Sequence, residues 1–376
     1  MNVISIIIPA YNQAQYLAEA IQSALDQTYQ DVEIIVIDDG STDDTKAVTY
    51  SFSDPRVRYI YQENQGLSAA RNTGMRHATG SLITFLDSDD LFLPDKLACL
   101  TAEMNNNSEL GMVAGQAILI DEQSHRLNRM MDAPLPEELS ALLLGNPIHV
   151  GSVLVKREWL EQVEPFDESL RACEDWDMWL KLARAGCQMH SIIQPVSLYR
   201  VHAEQMTRGA ERMRTAMLMV LDKTFNDPDL PAKWQTQKNK AYAAAYVRAA
   251  ARAYLAGTQT DGKNDLNEAV RLDPDLLRDQ ASGLSRELAG WANAPLAEDP
   301  LTYLEQVLDN LPDGLRQLHQ RRKSVLAKFA IELAFQAHHQ GNRSSTRSLV
   351  LRAFRYQPNW LRNRWALSIL VKAYTR

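Results

Sequence analysis

The fold of this 376-residue chain is decided in large part by the stretch Val32-Glu33-Ile34-Ile35-Val36-Ile37-Asp38-Asp39-Gly40-Ser41, an apolar run that ends in an acidic turn. A short β-branched run of this kind is typical of a strand that is buried on both faces. Similar runs predict further strands at residues 3–8, 57–61 and 81–86. Segments with helical spacing separate them, and Asn12 and then Ser41 or Thr42 are candidate helix starts. This alternation predicts an α/β fold with a mostly parallel sheet flanked by helices.

Composition excludes several classes of protein. No stretch approaches about 18 uninterrupted apolar residues, so no membrane-spanning helix is expected. The N-terminus lacks the basic and apolar regions of a signal peptide. The three cysteines, an odd number at irregular spacing, exclude a disulfide framework and a cysteine-based zinc site, and they favour a cytoplasmic location. Neither a Gly-x-Gly-x-x-Gly motif after the first strand nor a Walker motif is present, which argues against a dinucleotide enzyme or a P-loop NTPase.

Charge divides the chain into two parts. Residues 1–210 hold 15 Lys and Arg against 30 Asp and Glu, whereas residues 211–376 hold 25 against 17. Strand patterns also become rare after residue 210, where Ala, Leu and Arg dominate. We therefore predict an α/β domain over residues 1–210 and an all-helical domain over residues 211–376.

The helical part contains a weak internal repeat. A predicted helix is followed by a polar turn at 257–263, by a second helix that ends at Leu272, and by Pro274. The part of this arrangement from Gly257 to Pro274 recurs in the segment from Gly341 to Pro358. Each copy resembles a tetratricopeptide helix pair, although no 34-residue tandem period is present.

Residues 316–376 hold 13 basic residues and a single acid. This tail is either a packed bundle with a solvated arginine face or a basic amphipathic surface for peripheral contact with an anionic membrane. No nucleic-acid-binding motif accompanies the charge, so nucleic acid is not expected as a partner.

Acidic residues follow the predicted strands, where ligands bind in parallel sheets. Asp87 and Asp89 can converge on one divalent cation, whose shell a substrate diphosphate would complete. Asp38 and Asp39 offer acceptors for a base N–H or a ribose hydroxyl. The small residues after Gly66 would allow close approach of a ligand, with Arg71 directed at a phosphate. Each cluster also has a simpler interpretation, as a turn, a helix cap or a packing face.

Taken together, the clusters resemble a family-2 glycosyltransferase over roughly the first 210 residues. The motifs that carry the resemblance are Ile8-Pro9-Ala10-Tyr11-Asn12, Val36-Ile37-Asp38-Asp39-Gly40-Ser41-Thr42-Asp43, Gly66-Leu67-Ser68-Ala69-Ala70-Arg71-Asn72 and Phe85-Leu86-Asp87-Ser88-Asp89-Asp90. The resemblance implies the GT-A fold, a nucleotide-diphosphate sugar donor with UDP as the first choice, a divalent metal (Mn²⁺ or Mg²⁺) and inversion at the anomeric carbon.

The resemblance also assigns residues to the donor. It implies that Asp39 reads the uracil edge and that Asp89 ligates the metal, with His202 or Arg200 near the metal or the diphosphate. The remaining residues that it assigns to the nucleotide-sugar are Pro9, Ala10, Tyr11, Asn12, Ser41, Arg71, Asp87 and Ser88.

The acceptor side is implied by a later motif, Glu174-Asp175-Trp176-Asp177. The family places its catalytic base on such a Glu-Asp pair, so Asp175 is the expected base and Asp177 the rival. A positioned carboxylate of this kind can take the proton of an attacking hydroxyl. The residues expected on the acceptor side are Gly151, Ser152, Glu174 and Trp176, for which ordinary packing is the alternative.

Three classes of function remain in view. The first is an inverting, metal-assisted glycosyltransferase that acts on a hydroxyl of a glycan, a lipid-linked glycan or another acceptor. The second is a scaffold whose first domain binds a nucleotide-sugar without catalysis. The third is a nucleotidyltransferase, although the chain lacks the Gly-rich, basic phosphate loop expected for that chemistry. The glycosyltransferase is favoured over the other two classes because the chain retains Asp39, Asp87, Asp89 and Asp175.

Overall fold

The computed structural model describes residues 3–131, 134–202, 205, 209–292 and 299–375. The chain divides into two compact units, Met1–Ala241 and Tyr242–Arg376. The predicted boundary at residue 210 coincides with the start of a helix, Ala210–Phe225, that belongs to the first unit. In the described part of the chain, no helix is both long enough and apolar enough to span a bilayer.

A mixed sheet forms the centre of the first unit. Its strands in the described residues are β1 (Ile4–Ala10), β2 (Val32–Asp39), β3 (Val57–Gln62), β4 (Leu82–Phe85), β5 (Leu91–Phe92), β6 (Leu110–Ile120), β7 (Arg126–Met131), β8 (Val153–Lys156) and β9 (Gln188–Arg200). They follow the order β3-β2-β1-β4-β8-β6-β9-β5, with β7 paired to β6. β1 to β4 are parallel neighbours, whereas β8 runs antiparallel to both β4 and β6. The predicted parallel sheet is therefore confirmed for the first four strands.

Helices cover the faces of this sheet. They are α1 (Ala14–Leu25), α2 (Thr45–Tyr50), α3 (Leu67–His77), α4 (Lys96–Asn106), α5 (Arg157–Gln162), α6 (Glu174–Arg184), α7 (Ala210–Phe225) and α8 (Ala232–Gln235). All seven residues of β1 are buried, as expected for a strand covered on both faces. A Cβ on Gly74 of α3 would lie 2.3 Å from a methyl carbon of Ile7, so α3 packs directly against β1. This contact brings the first turn of α3 close to the end of β1.

Two predicted helix starts are wrong. Asn12 does not cap α1, because its φ of 52° turns the chain and its side chain accepts from the Thr42 N–H at 2.8 Å. The carboxylate of Asp43 accepts from Ala14 N–H instead, at 2.9 Å. The same carboxylate accepts from the N–H of Thr45, so α2 begins at Thr45 and not at Ser41 or Thr42. A residue from the neighbouring loop therefore performs the capping that Asn12 was expected to perform.

The second unit is helical and has its own core. After α9 (Lys238–Leu255), which begins before the boundary, its helices are α10 (Gln259–Leu272), α11 (Arg278–Ala292), α12 (Pro300–Asp309), α13 (Arg316–His339), α14 (Arg343–Tyr356) and α15 (Arg364–Tyr374). Leucine and alanine side chains from several of these helices pack into one cluster. The internal repeat is confirmed: Gly257 and Gly341 have φ near +75°, and each precedes a 14-residue helix and a 3₁₀ turn that begins at proline. The predicted turn at 257–263 is shorter, since α10 starts at Gln259.

Candidate active site

A cleft of about 410 Å³ opens at the carboxyl ends of the parallel strands. β1, β2 and β4 each deliver polar or small residues to it, because the ends of neighbouring parallel strands lie at the same edge of a sheet. The start of α3 and the chain after β9 complete its wall. The lining residues are Pro9, Ala10, Tyr11, Gln13, Asp39, Asn64, Gly66, Leu67, Ala70, Asp87, Ser88, Asp89, Tyr199, His202 and Gln205. Eight of the side chains predicted from the sequence therefore lie together: Pro9, Ala10, Tyr11, Asp39, Asp87, Ser88, Asp89 and His202.

Asp39 is buried at the end of β2 and fixes the loop that enters α3. Its Oδ1 accepts from the Gln62 amide at 2.7 Å and from Gln65 N–H at 3.0 Å, and its Oδ2 accepts from Gly66 N–H at 2.8 Å. A carboxylate has about four acceptor positions, so these bonds leave about one for a ligand. Asp39 thus shapes the cleft wall and retains some capacity to accept a hydrogen bond.

Asn12 and Ser41 connect two of the loops that follow the strands. The N–H of Asn12 donates to Ser41 Oγ at 3.1 Å, and the N–H of Ser41 donates to Asp38 Oδ1 at 2.8 Å. These bonds join the loop after β1 to the loop after β2. Neither residue is part of the cleft lining described above, so the structure does not bring them to the ligand-facing surface with the other predicted residues.

Arg71 bridges the two halves of the site. Its side chain is 1% exposed, and its terminal nitrogens donate to Glu174 Oε1 at 2.5 Å and to Asp87 Oδ1 at 2.6 Å. Burial alone would lower the pKa of Arg71, but the charges of Asp87 and Glu174 raise it above its usual value. The guanidinium that was expected to face a phosphate thus forms an ion-pair triad with Asp87 and Glu174, in which Arg71 ties the loop after β4 to the start of α6.

We expect Arg71→Met to lower the free energy of unfolding by about 3–5 kcal/mol, because it leaves two carboxylates without their buried counter-charge. Urea unfolding followed by circular dichroism measures this loss. Lys233→Met is the matched control, since Lys233 and its partner Glu138 are both exposed and such a pair contributes at most about 1 kcal/mol. Equal losses in the two variants would contradict the importance of the triad.

Asp89 and His202 meet at the cleft wall although 113 residues separate them. His202 Nε2 lies 2.9 Å from Asp89 Oδ2, and its ring packs against Tyr16 with the centroids 5.5 Å apart. The predicted metal-binding pair is thus brought together. Within the described residues, however, no group of three or more His, Cys, Asp or Glu side chains surrounds a common point.

Arg200 holds the loop that carries Asp89. Its buried guanidinium donates to the Asp89 carbonyl at 2.7 Å, to Glu19 at 2.9 Å and to the turn after β6. Its N–H donates to Asp90 Oδ1 at 2.8 Å. The prediction that Arg200 meets the metal or the diphosphate is not supported by this position, because its donors are already used to fix the backbone.

Asp175 lies in the first turn of α6. Its Oδ2 accepts from the Asn146 amide at 2.8 Å, and its Oδ1 accepts from Trp176 N–H at 2.7 Å. Burial, together with the neighbouring charge of Glu174, raises the pKa of Asp175 to about 7. A carboxyl with such a pKa can both accept and release a proton near neutral pH. The rival Asp177 is buried elsewhere, 2.7 Å from Lys181, and lines a different cavity of about 380 Å³.

Three residues predicted on the acceptor side lie in the interior. The Gly151 carbonyl accepts from the buried ammonium of Lys96 at 2.9 Å, and Ser152 Oγ is 2.6 Å from Ser197 Oγ. The Trp176 indole donates to the Leu142 carbonyl at 2.7 Å. These contacts match the packing alternative, since each polar group is satisfied by the protein itself.

A second pocket, of about 210 Å³, adjoins the cleft and shares Gly66 and Leu67 with it. Its lining is Gly66, Leu67, Ser68, Glu168, Leu170, Arg171, Glu174 and Arg212. Glu174, one of the predicted acceptor-side residues, therefore faces this second pocket. Sequence reasoning missed Asn64 and Gln205 in the cleft and Arg171 and Arg212 in the second pocket, because isolated polar residues in loops and helix starts carry no motif.

Comparison with known sequences identifies relatives of the first unit. Residues 5–162 match the sequence profile of Glycosyl transferase family 2. An uncharacterised glycosyltransferase of Rickettsia prowazekii is 35% identical over 219 residues, which cover 55% of this chain and 66% of that protein. Chondroitin synthase of Escherichia coli is 35% identical over 191 residues, which cover 50% of this chain and 27% of that enzyme. The matches therefore span between about a quarter and two thirds of these relatives.

Solved structures share the fold. TarS 1–349 of S. aureus, in complex with UDP-GlcNAc, has a TM-score of 0.50 at 15% identity, and the match covers 95% of this chain and 92% of that one. The mannosyltransferase PcManGT of Pyrobaculum calidifontis, in complex with GDP-Man and Mn²⁺, has a TM-score of 0.53 at 20% identity. The match covers 85% of this chain and 86% of that one. At these identities the likeness concerns the fold alone, and it confirms the predicted GT-A-like architecture.

Proposed function

Because this chain is a glycosyltransferase that belongs to glycosyl transferase family 2, we propose that it transfers a sugar, with inversion, from a UDP-linked donor to a hydroxyl of a glycan or lipid-linked acceptor. The observation that carries the proposal is the convergence of Asp39, Asp87, Asp89 and His202 on one cleft. These residues come from separate strand ends, as a nucleotide-sugar site requires. The pKa of about 7 at Asp175 favours catalysis over a scaffold that binds a nucleotide-sugar without catalysis.

The donor would occupy the cleft of about 410 Å³, which has the size of an ordinary ligand pocket. Tyr11, half exposed at the rim, offers an aromatic face to the base. The remaining acceptor position of Asp39 suits a base N–H. TarS was solved with UDP-GlcNAc, which favours a UDP-sugar, whereas PcManGT was solved with GDP-Man. The same architecture therefore leaves the choice of nucleotide to a few local contacts.

Asp89 and His202 would hold the divalent cation, either Mn²⁺ or Mg²⁺. The two side chains fit this role because an oxygen donor and a nitrogen donor meet at the cleft wall, and both are ligands that such metals accept. A bound cation would stabilise the negative charge that develops on the departing diphosphate. Arg200 contributes by fixing the backbone of Asp89, so the carboxylate keeps one position relative to His202.

Asp175 would act as the general base. Its carboxylate takes the proton of the acceptor hydroxyl while the oxygen of that hydroxyl attacks the anomeric carbon. The bond from that carbon to the nucleoside diphosphate breaks on the opposite face, so the sugar inverts and the diphosphate leaves with the electron pair. Arg71 would hold the donor side and the acceptor side of the site in a fixed relative position, because it binds Asp87 and Glu174 at the same time.

The test is release of nucleoside diphosphate from a panel of UDP-, GDP- and dTDP-sugars, with Mn²⁺, with Mg²⁺ and with a chelator. We expect metal-dependent turnover of a UDP-sugar that falls by about a thousandfold in Asp89→Asn. If calorimetry also detects no metal-dependent UDP binding, the donor assignment fails and the scaffold alternative gains. Release of pyrophosphate from an NTP and a sugar phosphate would instead support a nucleotidyltransferase.

The C-terminal helices would provide peripheral contact with an anionic membrane that carries a lipid-linked acceptor. Trp365 is 74% exposed, Val371 58% and Leu361 52%, in a segment with a large excess of arginine. Apolar side chains among basic ones fit the surface of an anionic bilayer.

We expect sedimentation with phosphatidylglycerol vesicles and not with phosphatidylcholine vesicles, and a loss of several-fold in Trp365→Ser. The control is Ile193→Ser, which removes a similarly exposed apolar side chain from β9. Equal sedimentation of the two variants would exclude the contribution of Trp365.

A further inference from the structure

The second pocket contains two arginine side chains that the transfer chemistry does not use. Arg171 and Arg212 both line it and both are exposed, and across the ranges that the structure describes neither forms an ion pair. The two carboxylates of the pocket have different hydrogen-bond partners. Glu174 is bonded to Arg71, whereas Glu168 accepts from the neutral amide of Asn72 at 3.0 Å. The pocket is therefore lined by two guanidinium groups that form no ion pair in the described residues, by Glu168, and by Glu174, whose counter-charge Arg71 is shared with Asp87.

Arg171 stands at the border between the pocket and the donor cleft. Its terminal nitrogen is 3.1 Å from the position that a Cβ on Gly66 would take, and Gly66 lines both cavities. Gly66 has a φ of 97°, which favours glycine, and its missing side chain leaves room for the guanidinium. Glu174, the neighbour of the proposed base Asp175, lines the same pocket. A molecule in this pocket would thus lie beside the donor and in contact with the residue of α6 that directly precedes the proposed base.

The two arginines lie in a domain that is otherwise acidic. Residues 1–210 have twice as many acids as bases, so the domain as a whole repels anions. A guanidinium presents paired donors that match the oxygens of a carboxylate or a phosphate. Two such groups without carboxylate partners create a local site for an oxyanion in an otherwise acidic domain.

We propose that the second pocket binds an anionic group of the acceptor, so that this enzyme prefers an acidic glycan whose hydroxyl is presented to Asp175. The inference rests on the proposed function, because an acceptor presupposes transfer. The anion is either the carboxylate of a uronate or a phosphodiester, since both offer oxygens to Arg171 and Arg212. The neutral part of the glycan would lie against Leu67 and Leu170.

Calorimetry with three defined probes tests the proposal: a tetrasaccharide that contains glucuronate, a short poly(glycerol phosphate) and neutral chitotetraose. We expect one acidic probe to bind, and to bind at least about tenfold more weakly to the double variant Arg171→Gln/Arg212→Gln, because charge-assisted hydrogen bonds are lost. The probe that binds identifies carboxylate or phosphate. The control Lys46→Gln/Arg126→Gln removes two exposed positive charges of the same unit outside the pocket and should leave affinity within about twofold.

Several results would overturn the proposal. One is binding of chitotetraose as tight as that of the acidic probes, and another is the absence of binding by any probe. An equal loss in the control would assign the effect to net charge. A loss of UDP affinity in the arginine variant would assign both side chains to the donor. If acidic probes bind through the arginines but no nucleotide-sugar is turned over by the wild-type protein, the proposed function fails and the anion is not an acceptor group.

Discussion

Replacing Asp89 by asparagine is expected to lower kcat/KM by about a thousandfold, because the proposed cation loses its anionic ligand and the diphosphate loses about 4 kcal/mol of transition-state stabilisation. The fold should survive. Arg200 holds this loop through the Asp89 carbonyl and not through the carboxylate, and the asparagine side chain has nearly the same shape. Measurement of nucleoside diphosphate release in the presence of Mn²⁺ gives the loss directly.

Binding measurements separate a metal role from general damage. We expect Mn²⁺ to strengthen UDP binding to the wild-type protein but not to Asp89→Asn, and to have a reduced effect in His202→Ala. The matched control is Asp31→Asn, because Asp31 is exposed and precedes β2 at the end of the sheet away from the cleft. Full Mn²⁺ enhancement in Asp89→Asn would remove Asp89 from the metal site.

The fold was predictable to the extent that one local pattern dominated each element. β1 and β2 are buried on both faces, so their β-branched runs are nearly continuous and their ends are found within two residues. The start of α1 was missed because its cap is supplied by Asp43, a residue of another loop. Capping by a side chain distant in sequence leaves no trace in the local pattern.

The site shows the same difference between features that a local sequence pattern determines and contacts that residues distant in sequence supply. Asp89 could be predicted because it follows a strand and strand ends in a parallel sheet meet at one edge, whereas His202 was implied only by the resemblance to the family. Arg71 was assigned to a phosphate because nothing in the sequence indicates that Glu174, 103 residues away, would reach its guanidinium. Trp176 was placed beside the acceptor, but the need of a buried indole for a hydrogen-bond acceptor directs it to Leu142.

Asp175→Asn is expected to lower kcat by about 10²–10⁴, which is the usual contribution of a positioned general base. The affinity for UDP should not change, because Asp175 does not line the donor cleft. This combination distinguishes a base from a donor-binding residue. Asp177→Asn is an informative comparison, since Asp177 pairs with Lys181 and its loss should reduce stability more than kcat. A kcat loss in Asp177→Asn as large as in Asp175→Asn would reopen the assignment.

The pH dependence gives an independent test of the same base. Burial and the charge of Glu174 favour the protonated carboxyl, whereas Arg71 and the Asn146 amide favour the ionised one, and the balance raises the pKa of Asp175 to about 7. Only the ionised form can accept a proton, so kcat/KM should fall about tenfold per pH unit below that pKa. Asn146→Ala removes a hydrogen bond that stabilises the ionised form, so it should move this acid limb to higher pH. An acid limb that Asn146→Ala leaves in place would show that another group titrates, and Asp175 would then be a residue that positions the acceptor.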